Sequence, residues 1–337
     1  MAAAVEPPPE RLPEFPVSFA APDLGPWRTG NCGVRGFTTR SAAAPGPHVL
    51  LTALIHGNEI AGAVALTRLL AGGLAPLRGR LTAGFVNLAA FDRFDPADPT
   101  TSRFVDEDMN RVWEQDVLEG GRRSCELARA REIRPLVESA DVLLDLHSML
   151  WPSDPLILCG PTARGRALAE RIGAPSLIVA DHGHAGGRRL IDYARFVAPD
   201  GDATACLVEA GQHWERRTIA TTLAAIAGLL RALGMVEHHP ALPPPPRPAA
   251  RPRLAEVTRA VTAESSEFAF VRPFRGGEVV KARDTLIARD GAAEILTPHD
   301  DCLLVMPSLR PSRGHTAIRL ARFLAGAEPE DQKSRSA

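Results

Sequence analysis

An α/β domain followed by a small all-β module is the fold class this sequence of 337 residues predicts, and three observations predict it. Apolar runs of strand length alternate with segments of helical spacing across residues 17–237. A proline-dense stretch, "HHPALPPPPRPAARPR" from His238 to Arg253, favours stiff extended chain and marks a boundary. Beyond it the pattern changes to short strand-like runs divided by Gly, Asp and Pro. The expected organisation is a flexible proline-rich start over 1–16, the α/β domain over 17–237, a linker over 238–252, the β module over 253–325 and a solvated tail over 326–337.

Within the α/β domain, "PHVLLTALIH", "GRLTAGFVNL", "ADVLLDLH", "DPLILCG", "PSLIVAD" and "ATACLVEAG" read as strands in that order. Several are almost continuously apolar, as expected of strands covered on both faces, so a largely parallel or mixed central sheet follows. The stretch from Leu50 to Leu70 begins as an apolar strand and ends as an apolar helix. Ile133, Leu136, Val137 and Ala140 have helical spacing, with Pro135 expected to kink or shorten that helix. Ile219, Leu223, Ile226 and Leu230 share one helical face. In the β module the runs are "SSEFAFVRPF", "GGEVVKARDTLIAR" and "AEILTPHDDCLLVMPS". The segment around Lys281 resembles the turn of lipoyl- or biotinyl-like modules, where the same pattern also serves as plain scaffolding.

Composition excludes several functions. A net charge of −1 offers no field for a polyanion, so neither nucleic acid nor an acidic membrane is an expected partner. Lysine occurs only at Lys281 and Lys333, which leaves almost no candidate for Schiff-base or phosphate-loop chemistry. The five cysteines show no C-x-x-C pair, against a disulfide scaffold or a cysteine metal site. No secretory leader pattern or membrane-length apolar run is present, and a cytoplasmic location is expected. Self-association is left open.

The chemistry concentrates at strand ends, where open α/β sheets build their sites. His56 and Glu59 follow the first apolar strand, His147 closes "DVLLDLH", and Glu209 closes "ACLVEAG". If those strands are neighbours, the side chains converge on one crevice. Two histidines and a carboxylate form a ligand set that zinc enzymes use while leaving a position for water. Alone, a strand-end histidine is more often a satisfied polar residue, and Glu59 could simply favour a helix N-terminus. Asp145, two positions before His147, points the same way along a strand and is a candidate outer partner of that imidazole.

In chain order, "HGNE" (His56–Glu59), "DMNR" (Asp108–Arg111), "DLH" (Asp145–His147) and "VEAG" (Val208–Gly211) resemble the aspartoacylase/succinylglutamate desuccinylase family, a branch of the zinc carboxypeptidase-like hydrolases. The resemblance spans roughly Val49 to Arg310. It implies a three-layer zinc carboxypeptidase-like domain, with the β module bordering the active-site entrance and limiting access to small substrates. It implies one Zn2+ per chain held by His56, Glu59 and His147. It further implies Glu209 as general base and acid, Arg103 as the residue polarising the scissile carbonyl, and Asn110 and Arg111 as the clamp on a substrate carboxylate. The implied activity is zinc-dependent deacylation of a small N-acyl amino acid or similar acylated carboxylate, through an amide or ester bond. The alternatives are a zinc carboxypeptidase acting on peptides and a non-catalytic small-molecule binding protein on the same scaffold.

Three departures from the family pattern stand out. The turn before His56 often carries glycine in that family and here reads Ala53-Leu54-Ile55. Met109 replaces the usual leucine, and residues 181–204, where relatives place substrate-facing groups, differ most. Tyr193 is the substrate-binding candidate in that segment, with Arg188, Arg189 and Arg195 beside it. "DHGHAGG", from Asp181 to Gly187, carries two histidines and reads as a substrate-side loop rather than a second metal cluster. Serine-hydrolase, H-E-x-x-H and dinucleotide motifs are absent.

Overall fold

The computed structural model describes residues 15–183, 186–245 and 251–324. The expected N-terminal arm (apart from its last residues), His184 of the glycine-rich loop, the middle of the proline stretch and the C-terminal tail lie outside the described residues.

Strands and helices alternate through the first two thirds of the chain. In order these are β1 (Phe37–Ser41), β2 (His48–Ala53), α1 (Ile60–Ala71), β3 (Arg80–Phe85), α2 (Leu88–Phe91), α3 (Gln115–Glu119), α4 (Cys125–Glu138), β4 (Val142–Met149), β5 (Leu156–Leu158), α5 (Ala163–Ile172), β6 (Leu177–Ala180), α6 (Ala194–Val197), β7 (Thr204–Gln212) and α7 (Arg216–Ala232). The rest is strand: β8 (Arg253–Thr262), β9 (Ala269–Phe270), β10 (Val279–Val280), β11 (Leu286–Asp290), β12 (Ala293–Leu296), β13 (Cys302–Val305) and β14 (Thr316–Phe323). Among the described residues no helix is long and apolar enough to cross a membrane.

One mixed sheet of 11 strands runs in the order β1-β3-β2-β4-β7-β5-β6-β8-β14-β13-β10. Strands β3, β2, β4 and β7 are mutually parallel, β5 returns antiparallel to β7, and β6 and β8 are parallel to β5 and β6 respectively. The C-terminal strands therefore extend the same sheet through the β6–β8 pairing, while β12, β11 and β9 form a second antiparallel sheet. The strand runs of the sequence carry no sign of this joint, because β8 and β14 are irregular in polarity and their pairing partners are distant in the chain.

Alternation along the strands divides the core into two layers. Val49, Leu51 and Ala53 face α1, α5 and α7, whereas Leu50, Leu143 and Leu207 face the layer built on α4 and α6. Helix α1 buries Ile60, Leu66, Leu69 and Leu70 on the first layer, each contributing about 2 kcal/mol by removal from water. Gly62 lets α1 approach closely: a Cβ there would stand 3.1 Å from Ala53 and Leu146 side chains. Ile219, Leu223, Ile226 and Leu230 all lie on the buried face of α7. Pro135 does not break α4, which runs on to Glu138. Proline sits in the last turn, where only one helical hydrogen bond is lost to its missing N–H.

Candidate active site

Strands β2, β4 and β7 lie side by side, so the residues at their carboxyl ends are brought together. His147 is directly paired with Glu209 in the β4–β7 register, and Asp145 lies beside Thr52 of β2. His56 and Glu59 occupy the turn that joins β2 to α1. Leu54 enters that turn at φ 63°, a left-handed conformation, at the position where a glycine would be free of strain. Its side chain is fully buried, so packing holds a backbone geometry that the residue itself disfavours. Gly57 is required by space: a Cβ would meet Ala90 backbone at 2.4 Å and the Ser102 carbonyl at 2.5 Å.

Glu59 stands at the N-cap of α1 yet makes no side-chain cap bond. Its carboxylate faces the imidazoles instead, with Oε1 2.6 Å from His56 Nδ1 and Oε2 2.9 Å from His147 Nδ1. The Ser148 N–H donates to the same Oε2 at 3.0 Å. The outward ring nitrogens are also fixed: His147 Nε2 lies 2.8 Å from Asp145 Oδ2, and His56 Nε2 lies 2.9 Å from Asp108 Oδ1. Thr52 in turn donates to Asp145 at 2.7 Å. The sequence suggested Asp145 for this role but left Asp108 unassigned; only the folding of the 100–111 loop onto the turn brings Asp108 there.

A donor atom from each of His56, Glu59 and His147 lies within 4.8 Å of the other two, and all three residues are buried. This set fits a divalent cation. Two neutral-capable imidazoles and a carboxylate point at one another, and a carboxylate behind each ring fixes which nitrogen faces inward. The electrostatics agree. Burial alone would raise the Glu59 carboxyl, but His56 and His147 outweigh it and hold it well below the usual carboxylate range. Burial alone would lower His147, but Asp145 and Glu59 hold its imidazole well above the usual value. These groups create a demand for positive charge at their centre, which a proton meets in part and a cation meets better.

The set lines a cavity of about 200 Å³ together with Glu209, Arg103, Asn110 and Arg111. Glu209 Oε2 is buried without a hydrogen-bond partner among the described residues. Burial and the neighbouring Glu59 charge push its carboxyl up to about 8. Arg103, the most open of these at 38% side-chain exposure, reaches Asp108 at 3.2 Å and His56 Nε2 at 2.9 Å. Arg111 donates to the Asn110 carbonyl at 2.6 Å. Burial lowers its guanidinium to about 10 against the pull of Asp108, assisted by Arg103, Arg319 and Arg189, so an anion is the missing complement there. Asn110 Oδ1 accepts from Leu190 N–H at 2.8 Å, which leaves its amide nitrogen as a donor.

The loop carrying these groups is held by Glu126 at the start of α4. Its carboxylate accepts from the backbone N–H groups of Val105, Asp106 and Glu107 at 2.6, 3.0 and 3.3 Å and from Asn87 Nδ2 at 3.0 Å.

Of the candidates in the divergent segment, Arg189 lines the cavity and Tyr193 does not. Tyr193 packs edge-on against Trp113 in the layer built on α4 and α6, its hydroxyl donating to Glu138 at 2.8 Å and accepting from Arg134 at 3.0 Å. It follows a 3-10 turn (Leu190–Asp192) that rotates it away from the crevice, a turn with no sequence periodicity to announce it. Arg188 pairs with Glu114 and Arg195 with Asp141, both away from the cavity. Arg189 is spanned by Asp192 and Asp181, and Asp181 also binds Arg319 of β14 at 2.9 Å. In the glycine-rich loop His182 meets Glu256 at 3.0 Å. Arg319 and His213, both cavity residues, were not legible in the sequence: each sits on a strand or bend whose neighbours in space are remote in the chain.

The sequence pattern of the succinylglutamate desuccinylase/aspartoacylase catalytic domain matches residues 45–233, more than half of the chain, and the chain belongs to that family. The same fold occurs in succinylglutamate desuccinylase from Vibrio parahaemolyticus, at 15% identity over 86% of each chain with a TM-score of 0.63. It also occurs in a succinylglutamate desuccinylase/aspartoacylase from Rhodobacter sphaeroides, at 19% identity over 86% of this chain and 88% of that one, TM-score 0.62. The product-bound ectoine utilization protein EutE (DoeB) from Ruegeria pomeroyi is similar at 18% identity over 85% and 88%, TM-score 0.57. No curated protein matches the sequence.

Proposed function

We propose that this chain is a zinc-dependent deacylase that hydrolyses the amide or ester bond of a small N-acyl amino acid or similar acylated carboxylate. The observation that carries the reading is the convergence of the His56, Glu59 and His147 donor atoms on one cavity with the unpartnered carboxylate of Glu209. His56, Glu59 and His147 would hold the ion. When bound, zinc polarises an acyl oxygen and eases deprotonation of water.

The remaining work falls to the chain's own side chains. Asn110 and Arg111 receive the substrate carboxylate, the guanidinium fork matching its two oxygens. Arg103 turns its guanidinium onto the acyl oxygen as negative charge develops there. Glu209 accepts a proton from the attacking water, whose oxygen bonds to the acyl carbon, and then delivers that proton to the leaving nitrogen or oxygen as the scissile bond breaks. Glu209 is placed for both transfers because its buried Oε2 faces the cavity with no protein partner among the described residues.

The relatives named for succinylglutamate desuccinylation and ectoine utilization support small acylated substrates. So does the cavity, whose lining includes Met306, Pro307 and Ser308 from the segment between β13 and β14 and whose volume of about 200 Å³ suits a small molecule better than an extended peptide. A purely binding protein would gain nothing from a buried, unpartnered Glu209. The test is metal analysis of the purified protein followed by turnover of N-acetyl, N-succinyl and N-formyl amino acids with and without chelator. Glu209→Gln should retain metal and lose turnover by at least about a hundredfold; a metal-free protein, or full activity after chelation, removes the reading.

A further inference from the structure

Three histidines line the cavity, and their ring nitrogens can be accounted for one by one. Those of His56 are taken by Glu59 and Asp108, and those of His147 by Glu59 and Asp145. His213 Nδ1 lies 2.7 Å from Ser148 Oγ. That leaves His213 Nε2, which has no protein partner among the described residues. His213 is not part of the donor cluster that fits a cation.

The ring is held firmly. Its backbone N–H donates to the Met149 carbonyl at 2.8 Å, and its face is tilted over Trp214, with 5.4 Å between ring centroids. The Trp214 indole N–H is itself tied to the Asn58 carbonyl of the metal-side turn at 3.2 Å. A one-residue slip in the β4–β7 register makes this placement possible: His147 pairs with Glu209, but Met149 pairs with Gln212. Gly211 absorbs the bulge at φ 127°, a conformation closed to other residues without strain.

We infer that His213 is a substrate-contacting residue of this cavity, its Nε2–H donating a hydrogen bond to an oxygen of the bound acylated carboxylate. The inference rests on the deacylase reading above and adds a residue to it. Ser148 sets the polarity. Its N–H is committed to Glu59, and among the described residues its hydroxyl has no other partner, so it is free to donate to Nδ1 and leave the ring proton on Nε2. Burial, with Arg103, His56 and His147 nearby, outweighs Glu59 and pushes the imidazole down to about 3, so the ring donates as a neutral group throughout the assay range. The ligand side offers acyl and carboxylate oxygens, which only accept.

The experiment uses histidine-labelled full-length protein loaded with zinc, with His213→Gln assigning the resonance. Nitrogen NMR at neutral pH should show Nε2 protonated and Nδ1 bare, and titration with N-acetylglycine should move the Nε2 signal. In kinetics, His213→Ala should lower kcat/KM by about tenfold on the amides the wild type cleaves, at unchanged zinc content. His213→Gln, whose amide N–H reaches the same region, should recover most of the loss. The Nδ1–H tautomer, an Nε2 signal unmoved by saturating N-acetylglycine, or unaltered kcat/KM in His213→Ala would each overturn the assignment. A wild type that cleaves none of the amides removes the deacylase reading instead, and the NMR titration then decides for or against His213 by itself.

Discussion

Glu209→Gln should stabilise the metal-free protein at alkaline pH relative to wild type, although it removes the residue proposed to be central to turnover. Glu209 keeps its proton in the folded chain until pH approaches about 8, whereas its ordinary value is 4.5. A carboxyl raised on folding contributes stability that is complete below pH 4.5 and fades as pH rises through about 8. That interval corresponds to at most about 5 kcal/mol, at about 1.4 kcal/mol per pH unit. The cavity admits water to one side of the carboxyl and the surroundings relax, so about 2 kcal/mol is the expected effect. The assay is urea unfolding of chelator-treated wild type and Glu209→Gln at pH 5 and pH 9. Gln does not titrate, and whatever its unpaired amide costs is the same at both values. The stability difference between the two proteins should therefore shift by about 2 kcal/mol in favour of Glu209→Gln from the lower to the higher pH. A difference independent of pH would show that Glu209 ionises at its ordinary value, and the argument from burial and Glu59 repulsion would fail.

Three further outcomes are expected. His147→Ala removes one of three donors and its Asp145 support, so metal analysis should find the purified variant essentially free of zinc; wild-type stoichiometry would remove His147 from the ligand set. Asp108→Asn leaves all three donors but loosens His56, and zinc affinity measured by chelator competition should fall by about 10- to 100-fold; an unchanged affinity would make Asp108 a bystander. Gly57→Ala places a methyl group against Ala90 and Ser102 backbone, which must move. Thermal or urea unfolding should report a loss of about 1–3 kcal/mol, and metal affinity should fall with it, since His56 and Glu59 flank the displaced residue.

The local readings in the sequence were sound where periodicity and apolar content decide the outcome. The runs that form β2 to β7 and the apolar face of α7 are visible because a strand buried on both faces, or a helix on one, must repeat its apolar residues at fixed intervals. The residues His56, Glu59, His147 and Glu209 were legible because they interrupt apolar runs at strand ends, a placement a core would not otherwise tolerate. Arg103, Asn110 and Arg111 became candidates only through the family resemblance, since nothing in their own spacing distinguishes them from surface residues.

Chain order alone thus determined which residues could carry the chemistry, through polarity placed against an apolar background. It could not determine which of them meet. The adjacency of β2, β4 and β7, the one-residue slip that carries His213 to the cavity, the Glu126 clamp that delivers Asp108 to His56, and the arrival of Arg319 from β14 are pairings between segments far apart in the chain. So are the contacts with Trp113 and Glu138 that hold Tyr193 outside the crevice. Each depends on sheet register and loop packing, energies shared among many residues, and no single stretch of sequence records them.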